Sequence, residues 1–385
     1  MSTTTELPVV IVGTGMAGYT VARELRKLDA HKPVVLISED DGCFYSKPML
    51  SNALAMKKAP HDLVTFDADT MRSQLSARIM TRAQVKRIDP QASEIVLNGE
   101  RLRYASLVLA LGAQARRIPL AGNAVHEVLS VNSLDDYGRF RTFLQDARSI
   151  ALLGAGLIGC EFANDLALAG YDVTVIDPAS TPLSRLLPEQ AGDAFAQALE
   201  SHGIRLRLGQ SVRSVDKHGQ RYTLTLSNDE VLKADLVLSA IGLAPRITLA
   251  ADAGLTIDNG IRTDAWCRTS EEHIYALGDC AAIEGKVQPY VLPIMHAARA
   301  LARTLAGEPT RVEFPLMPVT VKAPASPTVV VLPDEAGAWR FASNEEGFSA
   351  YCEHASDRRA LGFALLGKAT QSKAALLKAM SSGAF

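Results

Sequence analysis

Two glycine-rich runs are the part of this sequence whose spacing most clearly predicts chemistry. Gly13–Gly18 and Gly154–Gly159 both match G-x-G-x-x-G, and each lies between an apolar run and a helical pattern. In this pattern the first glycine permits a tight turn, the second lets a pyrophosphate approach the backbone, and the third lets helix and strand pack closely. The following helix N-terminus offers N–H groups to the phosphates. The residues predicted to bind dinucleotides are Gly13, Gly15, Met16, Ala17 and Gly18 in the first run and Gly154, Gly156, Leu157, Ile158 and Gly159 in the second.

An acidic residue follows each glycine run at the sequence spacing typical of the residue that binds the ribose hydroxyls of a dinucleotide. Glu39 lies 21 residues after Gly18 with Asp40 beside it, and either of them could bind the first ribose. Asp177 lies 18 residues after Gly159. A carboxylate there accepts a hydrogen bond from a ribose 2′-hydroxyl and repels a 2′-phosphate, which favours NADH over NADPH. The alternative for Asp177 is a turn-forming residue before a proline.

The elements around both runs follow one pattern. Each run comes after a β-branched stretch, typical of a parallel strand buried on both faces, and before a helical spacing of apolar residues. The predicted elements are strands at 7–12, 33–37, 149–153 and 172–176 and helices at 19–28 and 160–169. The two units are 141 residues apart, which is too long a period for a solenoid. The chain is therefore predicted to contain two separate nucleotide-binding domains.

Two later apolar strands, 107–112 and 236–242, each run into glycine and are interpreted as crossings between these domains. Ala110, Gly112 and Gly242 at their ends are predicted to line the cofactor sites. From Pro315 onward, short β-rich runs and a helix over 371–380 predict a smaller α+β unit. The predicted fold class is α/β, with two Rossmann-like domains and this small C-terminal domain.

Composition excludes several classes of protein. Lys plus Arg number 40 and Asp plus Glu 42, so the chain has no overall charge that favours nucleic acid or an anionic membrane. No run of apolar residues is long enough to span a membrane, and the polar N-terminus predicts no secretory signal. The five cysteines are scattered and form no Cys-x-x-Cys, which argues for reduced thiols and a cytoplasmic location. The eight histidines show no metal spacing, so no metal is predicted.

The segment 274–281, with Gly278 and Asp279 at its centre, adds a further motif. Together with the glycine runs, it resembles the flavoprotein pyridine-nucleotide reductases that carry two dinucleotide-binding domains. The resemblance implies FAD in the first domain and NADH in the second, with Asp279 on the ribityl chain of FAD. The alternative for Asp279 is a helix cap. The implied domains are FAD-binding over 1–114 and 243–314, NAD-binding over 115–242, and a small C-terminal domain over 315–385.

Three stretches narrow the resemblance: YSKPML at 45–50, GLIGCEFANDL at 156–166 and MPVTVK at 317–322. Together they resemble the bacterial rubredoxin–NAD reductases, with the ferredoxin reductases as near neighbours. In related disulfide reductases a redox cysteine lies about where Lys47 lies here. Cys43 is four residues away and has no second cysteine near it, so we expect no thiol relay and electrons that leave the flavin directly.

The resemblance also implies roles for single residues, two of them catalytic. Lys47 is expected near flavin N5, with Pro48 against the ring, and Glu161 is expected against the nicotinamide amide. Lys322 would add a second positive charge at the flavin pyrimidine edge, beside the N-terminus of a helix that begins at Pro293. The alternatives are an exposed loop lysine for Lys47, a dipole-stabilised acid for Glu161 and a strand-edge lysine for Lys322.

The expected function is therefore an FAD enzyme that takes hydride from NADH and passes single electrons to rubredoxin. It would supply a hydroxylase such as an alkane monooxygenase, and the protein is expected to be a monomer. Basic residues near the docking site for an acidic carrier are expected among Lys47, Arg116, Arg117, Arg299 and Arg303. A ferredoxin reductase for an oxygenase system and a flavin- and NADH-linked redox sensor are the alternatives.

Overall fold

The computed structural model describes residues 6–345 and 347–382. The predictions about the first five residues and the outer domain limits at 1 and 385 lie outside the described residues. Within the described residues, no helix combines the length and the apolar character needed to cross a membrane.

The strands and helices are labelled in chain order. The first part of the chain contains β1 (Val9–Val12), α1 (Met16–Leu28), β2 (Val34–Ile37), β3 (Phe44–Tyr45), β4 (Val64–Phe66), α2 (Ala68–Leu75), β5 (Arg78–Met80), β6 (Val85–Asp89), β7 (Glu94–Leu97), β8 (Glu100–Arg103), β9 (Ser106–Leu109) and β10 (Ala113–Ala115). The middle contains α3 (Leu134–Leu144), β11 (Ser149–Leu153), α4 (Leu157–Leu168), β12 (Asp172–Asp177), α5 (Glu189–Ser201), β13 (Arg205–Leu208), β14 (Val212–His218), β15 (Arg221–Leu226), β16 (Val231–Ala234), β17 (Leu236–Ser239) and β18 (Leu243–Pro245). The last part contains α6 (Thr248–Asp252), β19 (Ile261–Thr263), β20 (Ile274–Ala276), β21 (Ala281–Ile283), α7 (Val291–Leu305), β22 (Val319–Val321), β23 (Thr328–Val331), β24 (Ala338–Asn344), β25 (Gly347–Glu353), β26 (Ala360–Leu366) and α8 (Lys373–Ser382).

The chain forms two compact units. Of the described residues, the first contains 6–46, 62–114 and 243–315, and the second contains 47–61, 115–242, 316–345 and 347–382. The segment 47–61 therefore belongs to the unit of the second glycine run, although it follows the first in sequence. The division into three domains stays a prediction.

The first unit is built on a parallel sheet in the order β20-β9-β1-β2-β5. All four residues of β1 and all four of β2 are buried, as expected for strands covered on both faces. Helix α1 packs against this sheet and against α7 through buried side chains such as Tyr19, Leu25 and Leu301. The first glycine run follows the carboxyl end of β1, as in a doubly wound fold.

The second unit contains a parallel sheet in the order β13-β12-β11-β17 and an antiparallel sheet of β14, β15 and β16. Residues 316–382 of this unit form a five-stranded antiparallel sheet, ordered β22-β23-β26-β25-β24, with α8 beside it. Its small core joins Val329, Val331, Phe363 and Leu365 to side chains of α8.

Two expectations about helix starts need correction, and one strand was missed. Helix α7 begins at Val291 after the N-cap Tyr290, so Pro293 is the third helical residue and not the first. Proline is tolerated there because the N–H groups of the first turn have no partner within the helix. The C-terminal helix begins at Lys373, two residues later than predicted, after a 3-10 turn. Strand β24 was not predicted, because it is an almost wholly exposed edge strand without an apolar face to reveal it.

Candidate active site

The first glycine run forms a tight turn whose middle is open. Gly13 has a φ of +116°, and a Cβ at this position would collide with the carbonyl oxygen of Ala110. A Cβ at Gly18 would collide with the carbonyl oxygen of Gly13, whereas a Cβ at Gly15 would meet nothing within 4 Å. Gly15 is also the N-cap of α1 and leaves its first N–H groups without a side-chain cap. The run therefore fits a dinucleotide whose pyrophosphate lies at the helix N-terminus.

The second glycine run repeats this geometry. Gly154 has a φ of +106° and packs against the backbone of Ala240, and a Cβ at Gly159 would collide with the carbonyl oxygen of Gly154. Gly156, the N-cap of α4, has nothing within 4 Å of where its Cβ would be. The exposed Ile158 and the half-buried Leu157 begin the helix. This run fits a second dinucleotide by the same test.

The late motif lies beside the first glycine run. Gly278 has a φ of +78°, and its Cβ position is 3.1 Å from the Cβ of Ala17 in α1. Asp279 follows in a 3-10 turn over Gly278–Cys280 and is half-buried. A strand and not a helix comes next, so Asp279 does not cap a following helix. The structure thus brings Asp279 close to the first dinucleotide site.

The two candidate ribose acids of the first unit differ in what they contact. The Asp40 carboxylate turns back on its own loop, where it accepts hydrogen bonds from the Ser38 hydroxyl and from the N–H of Gly42 at 2.9 Å. Glu39 is exposed and pairs with Arg246 at 3.1 Å, the only ion pair of this carboxylate among the described residues. Glu39 is therefore the more accessible acceptor.

Asp177 is joined to the second glycine run. Its two carboxylate oxygens accept hydrogen bonds from the N–H groups of Ala155 at 2.6 Å and of Ala179 at 2.7 Å. A carboxylate oxygen has more than one acceptor position, so both oxygens retain capacity for a ribose hydroxyl. Asp177 is thus more than a turn residue before Pro178, since it fixes the glycine run itself.

Glu161 is a buried carboxylate with three donors around it. It lies in the first turns of α4 and is 1 % exposed. The Ser51 hydroxyl donates to it at 2.5 Å, the Lys322 N–H donates at 2.9 Å, and the Lys322 ammonium lies at 3.4 Å. Such pairing is what allows a carboxylate to stay buried. Glu161 is therefore much more than an acid stabilised by a helix dipole.

The two lysines of interest lie in the same unit as Glu161. Lys322, just after β22, also donates from its ammonium to the carbonyl oxygen of Pro48. Lys47 begins a 3-10 turn over Lys47–Met49 and donates to the side-chain oxygen of Asn132 at 3.3 Å. Both lysines are only partly exposed, so neither is a simple surface or strand-edge lysine. The structure brings together Pro48, Glu161 and Lys322, while Lys47 contacts Asn132.

Comparison with known proteins agrees with this geometry. Residues 7–302 match the family model described as pyridine nucleotide-disulphide oxidoreductase. The chain belongs to this oxidoreductase family. Residues 311–380 match a second model, the rubredoxin binding C-terminal domain, which coincides with the sheet β22–β26 and α8.

Individual members of the family are similar over nearly the whole chain. The rubredoxin-NAD(+) reductase of Alcanivorax borkumensis is 46 % identical, covering 96 % of this chain and 98 % of that protein. The rubredoxin-NAD(+) reductase of Acinetobacter baylyi is 48 % identical, covering 94 % of each chain. Among solved structures, the ferredoxin reductase for the CYP199A2 system of Rhodopseudomonas palustris superposes with a TM-score of 0.87 at 27 % identity, covering 95 % of this chain and 92 % of that one.

Unlike the disulphide enzymes that give this oxidoreductase family its name, the chain has no thiol pair at the site. All five cysteines are unpaired. Burial, followed by the charge of Asp41, raises the pKa of Cys43 to about 11, and burial raises the pKa of Cys280 to about 12. Because the thiolate is the reactive form, these raised pKa values disfavour thiol chemistry at either cysteine near neutral pH. The described residues also contain no group of side chains that could hold a metal ion.

Sequence reasoning missed a second buried polar layer on α4. The side-chain oxygen of Asn164 accepts a hydrogen bond from the N–H of Ala325 at 2.9 Å, and Asp165 accepts from Leu54 and Ala55. The sequence did contain a pattern that indicates this layer. Glu161, Asn164 and Asp165 are spaced i, i+3 and i+4, which places them on one face of an otherwise apolar helix.

The remaining predicted positions are divided between the units. Ala110 is buried against Gly13, and Gly112 and Gly242 both have positive φ values. Of the predicted docking residues, Arg299 and Arg303 are exposed on α7 in the first unit, whereas Arg116 and Arg117 are exposed in the second.

Proposed function

We propose that the protein transfers electrons from NADH to rubredoxin with FAD as its cofactor, as the supply component for a hydroxylase such as an alkane monooxygenase. One observation carries the proposal: two dinucleotide-binding glycine runs and a rubredoxin-binding domain occur in one chain. The 46–48 % identity to rubredoxin-NAD(+) reductases over nearly the full length supports it. When bound, FAD accepts an electron pair as hydride and releases electrons singly, which nicotinamide does not do.

In the first unit, we propose that Gly13, Gly15, Met16, Ala17 and Gly18 bind the FAD pyrophosphate, with Ala110, Gly112 and Gly278 lining the site. Gly15 is supported by its open position at the N-terminus of α1. Asp279 would accept hydrogen bonds from hydroxyls of FAD, since it follows Gly278 beside Ala17. Of the two ribose candidates we propose Glu39, because Glu39 is exposed, whereas Asp40 is half-buried and its Oδ1 accepts hydrogen bonds from its own loop.

In the second unit, we propose that Gly154, Gly156, Leu157, Ile158 and Gly159 bind NADH, with Gly242 lining the site. Asp177 would accept the 2′-hydroxyl and repel a 2′-phosphate, and so select NADH. Glu161 would orient the nicotinamide amide. Its carboxylate is already held by Ser51 and Lys322, so its position is fixed before the nucleotide arrives.

Lys47, Pro48 and Lys322 are proposed to contact the flavin. An ammonium favours negative charge that develops nearby, and two lysines would therefore stabilise the electron-rich reduced state. The bond from Lys322 to the Pro48 carbonyl supports a joint role, because it ties both residues into one cluster. Lys47 and Glu161 are the proposed catalytic residues.

Rubredoxin docking is proposed to depend on basic side chains, because small iron–sulfur carriers are often acidic. The candidates are Lys47, Arg116, Arg117, Arg299 and Arg303. Neutralising all five should weaken the salt dependence of rubredoxin reduction, and an unchanged dependence would refute this choice of residues. We further propose a monomer and a cytoplasmic location, the latter because all five cysteines are unpaired.

The test is anaerobic reduction of the purified yellow protein with NADH, followed by mixing with rubredoxin or with a plant-type ferredoxin. Loss of each carrier's visible colour is recorded against time. Rapid bleaching of rubredoxin alone is expected. Preference for ferredoxin would favour an oxygenase ferredoxin reductase, a candidate supported by the similarity to the Rhodopseudomonas palustris structure. Flavin reduction without transfer to either carrier would favour a redox sensor.

A further inference from the structure

We propose that Asp165 is a positioning residue for hydride transfer, because it fixes the segment that carries Lys47, Pro48 and Ser51 onto helix α4. The inference rests on the proposed roles of Lys47 and Glu161. It adds a residue that touches neither cofactor and acts through the main chain of a distant segment.

The contacts of Asp165 are specific. Its two carboxylate oxygens accept hydrogen bonds from the N–H of Leu54 at 3.0 Å and from the N–H of Ala55 at 2.8 Å, across 110 residues of sequence. The residue is 4 % exposed. Burying a carboxylate destabilises the folded state unless the carboxylate is hydrogen-bonded. An apolar residue at position 165 would let α4 pack without this free-energy cost. Burial accordingly raises the pKa of Asp165.

Asp165 lies one helical turn after Glu161, and the two residues hold the same segment at two points. Glu161 accepts from Ser51, and Asp165 accepts from the N–H groups three and four residues further on. The segment thus runs along α4 with two attachments, which prevents it from pivoting about either one. Because α4 begins at the second glycine run, the segment and the proposed nicotinamide site share one rigid element.

The connection from this attachment back to Lys47 is short and ordered. The N–H of Leu50 donates to the Lys47 carbonyl at 3.0 Å, and the N–H of Asn52 donates to the Met49 carbonyl at 3.1 Å. Leu50 and Ser51 are buried, at 3 % and 2 % exposed. A shift at Leu54 would therefore be transmitted to Pro48 and Lys47 and not absorbed by a loose loop.

A third attachment comes from another helix. Arg141 of α3 donates to the carbonyl of Lys58 at 2.8 Å and to the Tyr137 hydroxyl at 3.2 Å. Its removal should disturb the far end of the same segment, and it also removes a positive charge that acts on the carboxylate of Asp165. Arg141 therefore provides a second variant of the same network, with a smaller expected effect.

The experiment compares Asp165→Asn with Asp235→Asn in the FAD-loaded full-length protein. Asp235 is the control, because it also accepts from two backbone N–H groups, those of Arg148 and Ser149, but at the start of β11, where it is only partly buried and pairs with Arg221. An asparagine oxygen can accept one of the two bonds at position 165, and its amide group would face the other donor. The readouts are the rate of flavin reduction by NADH, the Kd for NAD⁺, and the visible absorption bands of the bound flavin.

We expect Asp165→Asn to slow flavin reduction about tenfold and to shift the flavin bands, with the Kd for NAD⁺ changed less than about twofold. Asp235→Asn should leave the rate and the bands unchanged, and Arg141→Gln should move both in the same direction by a smaller amount. Equal effects of Asp165→Asn and Asp235→Asn would overturn the proposal. Should Asp165→Asn fail to fold, an Arg141→Gln protein with unchanged bands and rate would overturn it as well.

None of these readouts uses a protein acceptor. If rubredoxin proved not to be the partner, reduction by NADH would still report on Asp165. If Glu161 and Lys47 had no role in reduction, variants of these two residues would be reduced by NADH at the normal rate. That result is separate from the rate measured for Asp165→Asn, so the two failures can be distinguished.

Discussion

Helices α1 and α4 begin with the same glycine turn but use their buried faces differently. Two residues after the last glycine, α1 has Thr20 and α4 has Glu161. Among the described residues, the one side-chain hydrogen bond of the Thr20 hydroxyl is to the Met295 sulfur, at 3.6 Å. Helix α1 packs on α7 mainly through apolar side chains. Glu161 instead binds Ser51 and Lys322 from distant segments.

The difference teaches how one motif serves two purposes. Helix α1 is fixed by apolar packing and by hydrogen bonds to backbone carbonyls of its own unit, from Tyr19 to Gly42 at 2.5 Å and from Arg26 to Leu75 at 2.7 Å. Directed hydrogen bonds from buried polar groups fix particular atoms, and α4 uses them to hold both the 51–55 segment and residues 322–325. Helix α4 is therefore part of the scaffold of the proposed catalytic residues, whereas Tyr19 and Arg26 of α1 hold the chain near Gly42 and Leu75.

The largest effects are expected when the last glycine of each glycine run is replaced by alanine, one run at a time. Gly18→Ala should yield colourless protein, because the new methyl group collides with the Gly13 carbonyl and opens the FAD turn. Gly159→Ala makes the same collision with Gly154, and should leave the protein yellow while the KM for NADH rises at least about tenfold. Flavin content and steady-state kinetics check both. Loss of FAD from Gly159→Ala would show that the two runs are not separate sites.

Exchanging the residues two positions after the glycines should have the next largest effect. Glu161→Gln keeps the size of the side chain but removes the charge that Lys322 and Ser51 surround, so kcat/KM for NADH should fall about 100-fold. The matched change Thr20→Val in α1 should cost less than about threefold. Stopped-flow reduction by NADH measures both. Similar losses from the two variants would contradict the contrast between the helices.

A smaller change is expected in nucleotide preference. Asp177→Ala combined with Ser180→Arg removes the carboxylate that repels a 2′-phosphate and adds a guanidinium, so the ratio of kcat/KM for NADPH to that for NADH should rise about tenfold. The KM for NADH should rise too, because Asp177 also holds the N–H of Ala155. Glu39→Ala is the control and should leave the preference unaltered. An intact NADH preference in the double variant would exclude Asp177 as the selector.

The smallest effects concern pH and the two carboxylates that bind main-chain N–H groups. Burial raises the pKa of Asp165, so this group penalises the folded state near neutral pH and the penalty is relieved as pH falls toward 3.8. For Asp235, burial acts upward, but the hydrogen bonds from Ser149 and Arg148 lower its pKa, so its stabilisation is present above 3.8 and is lost below. Melting temperatures of Asp235→Asn and wild type should therefore converge as the pH falls below 3.8. Parallel curves would contradict this assignment for Asp235.

Some features were predictable because their causes are local. Glycine spacing and β-branched runs predicted both nucleotide-binding units, and the observed strands β1, β2, β11 and β12 agree with them to within a few residues. Helix α7 was placed two residues late, because a proline fits anywhere in a first turn. Strand β24 gave no signal, since an exposed edge strand lacks the alternation that a buried face imposes.

The sequence by itself determined that this chain binds two dinucleotides, because the steric demands of a glycine turn are met within six residues. The proposal of Glu39 over Asp40 needed the structure, since only the fold shows that Glu39 is exposed and that Asp40 accepts hydrogen bonds within its own loop. The tertiary structure also decided that Glu161 meets Ser51 and Lys322, residues 110 and 161 positions away. Such long-range contacts depend on the path of the whole chain. The sequence pattern within a helix indicates only that the helix has a polar face.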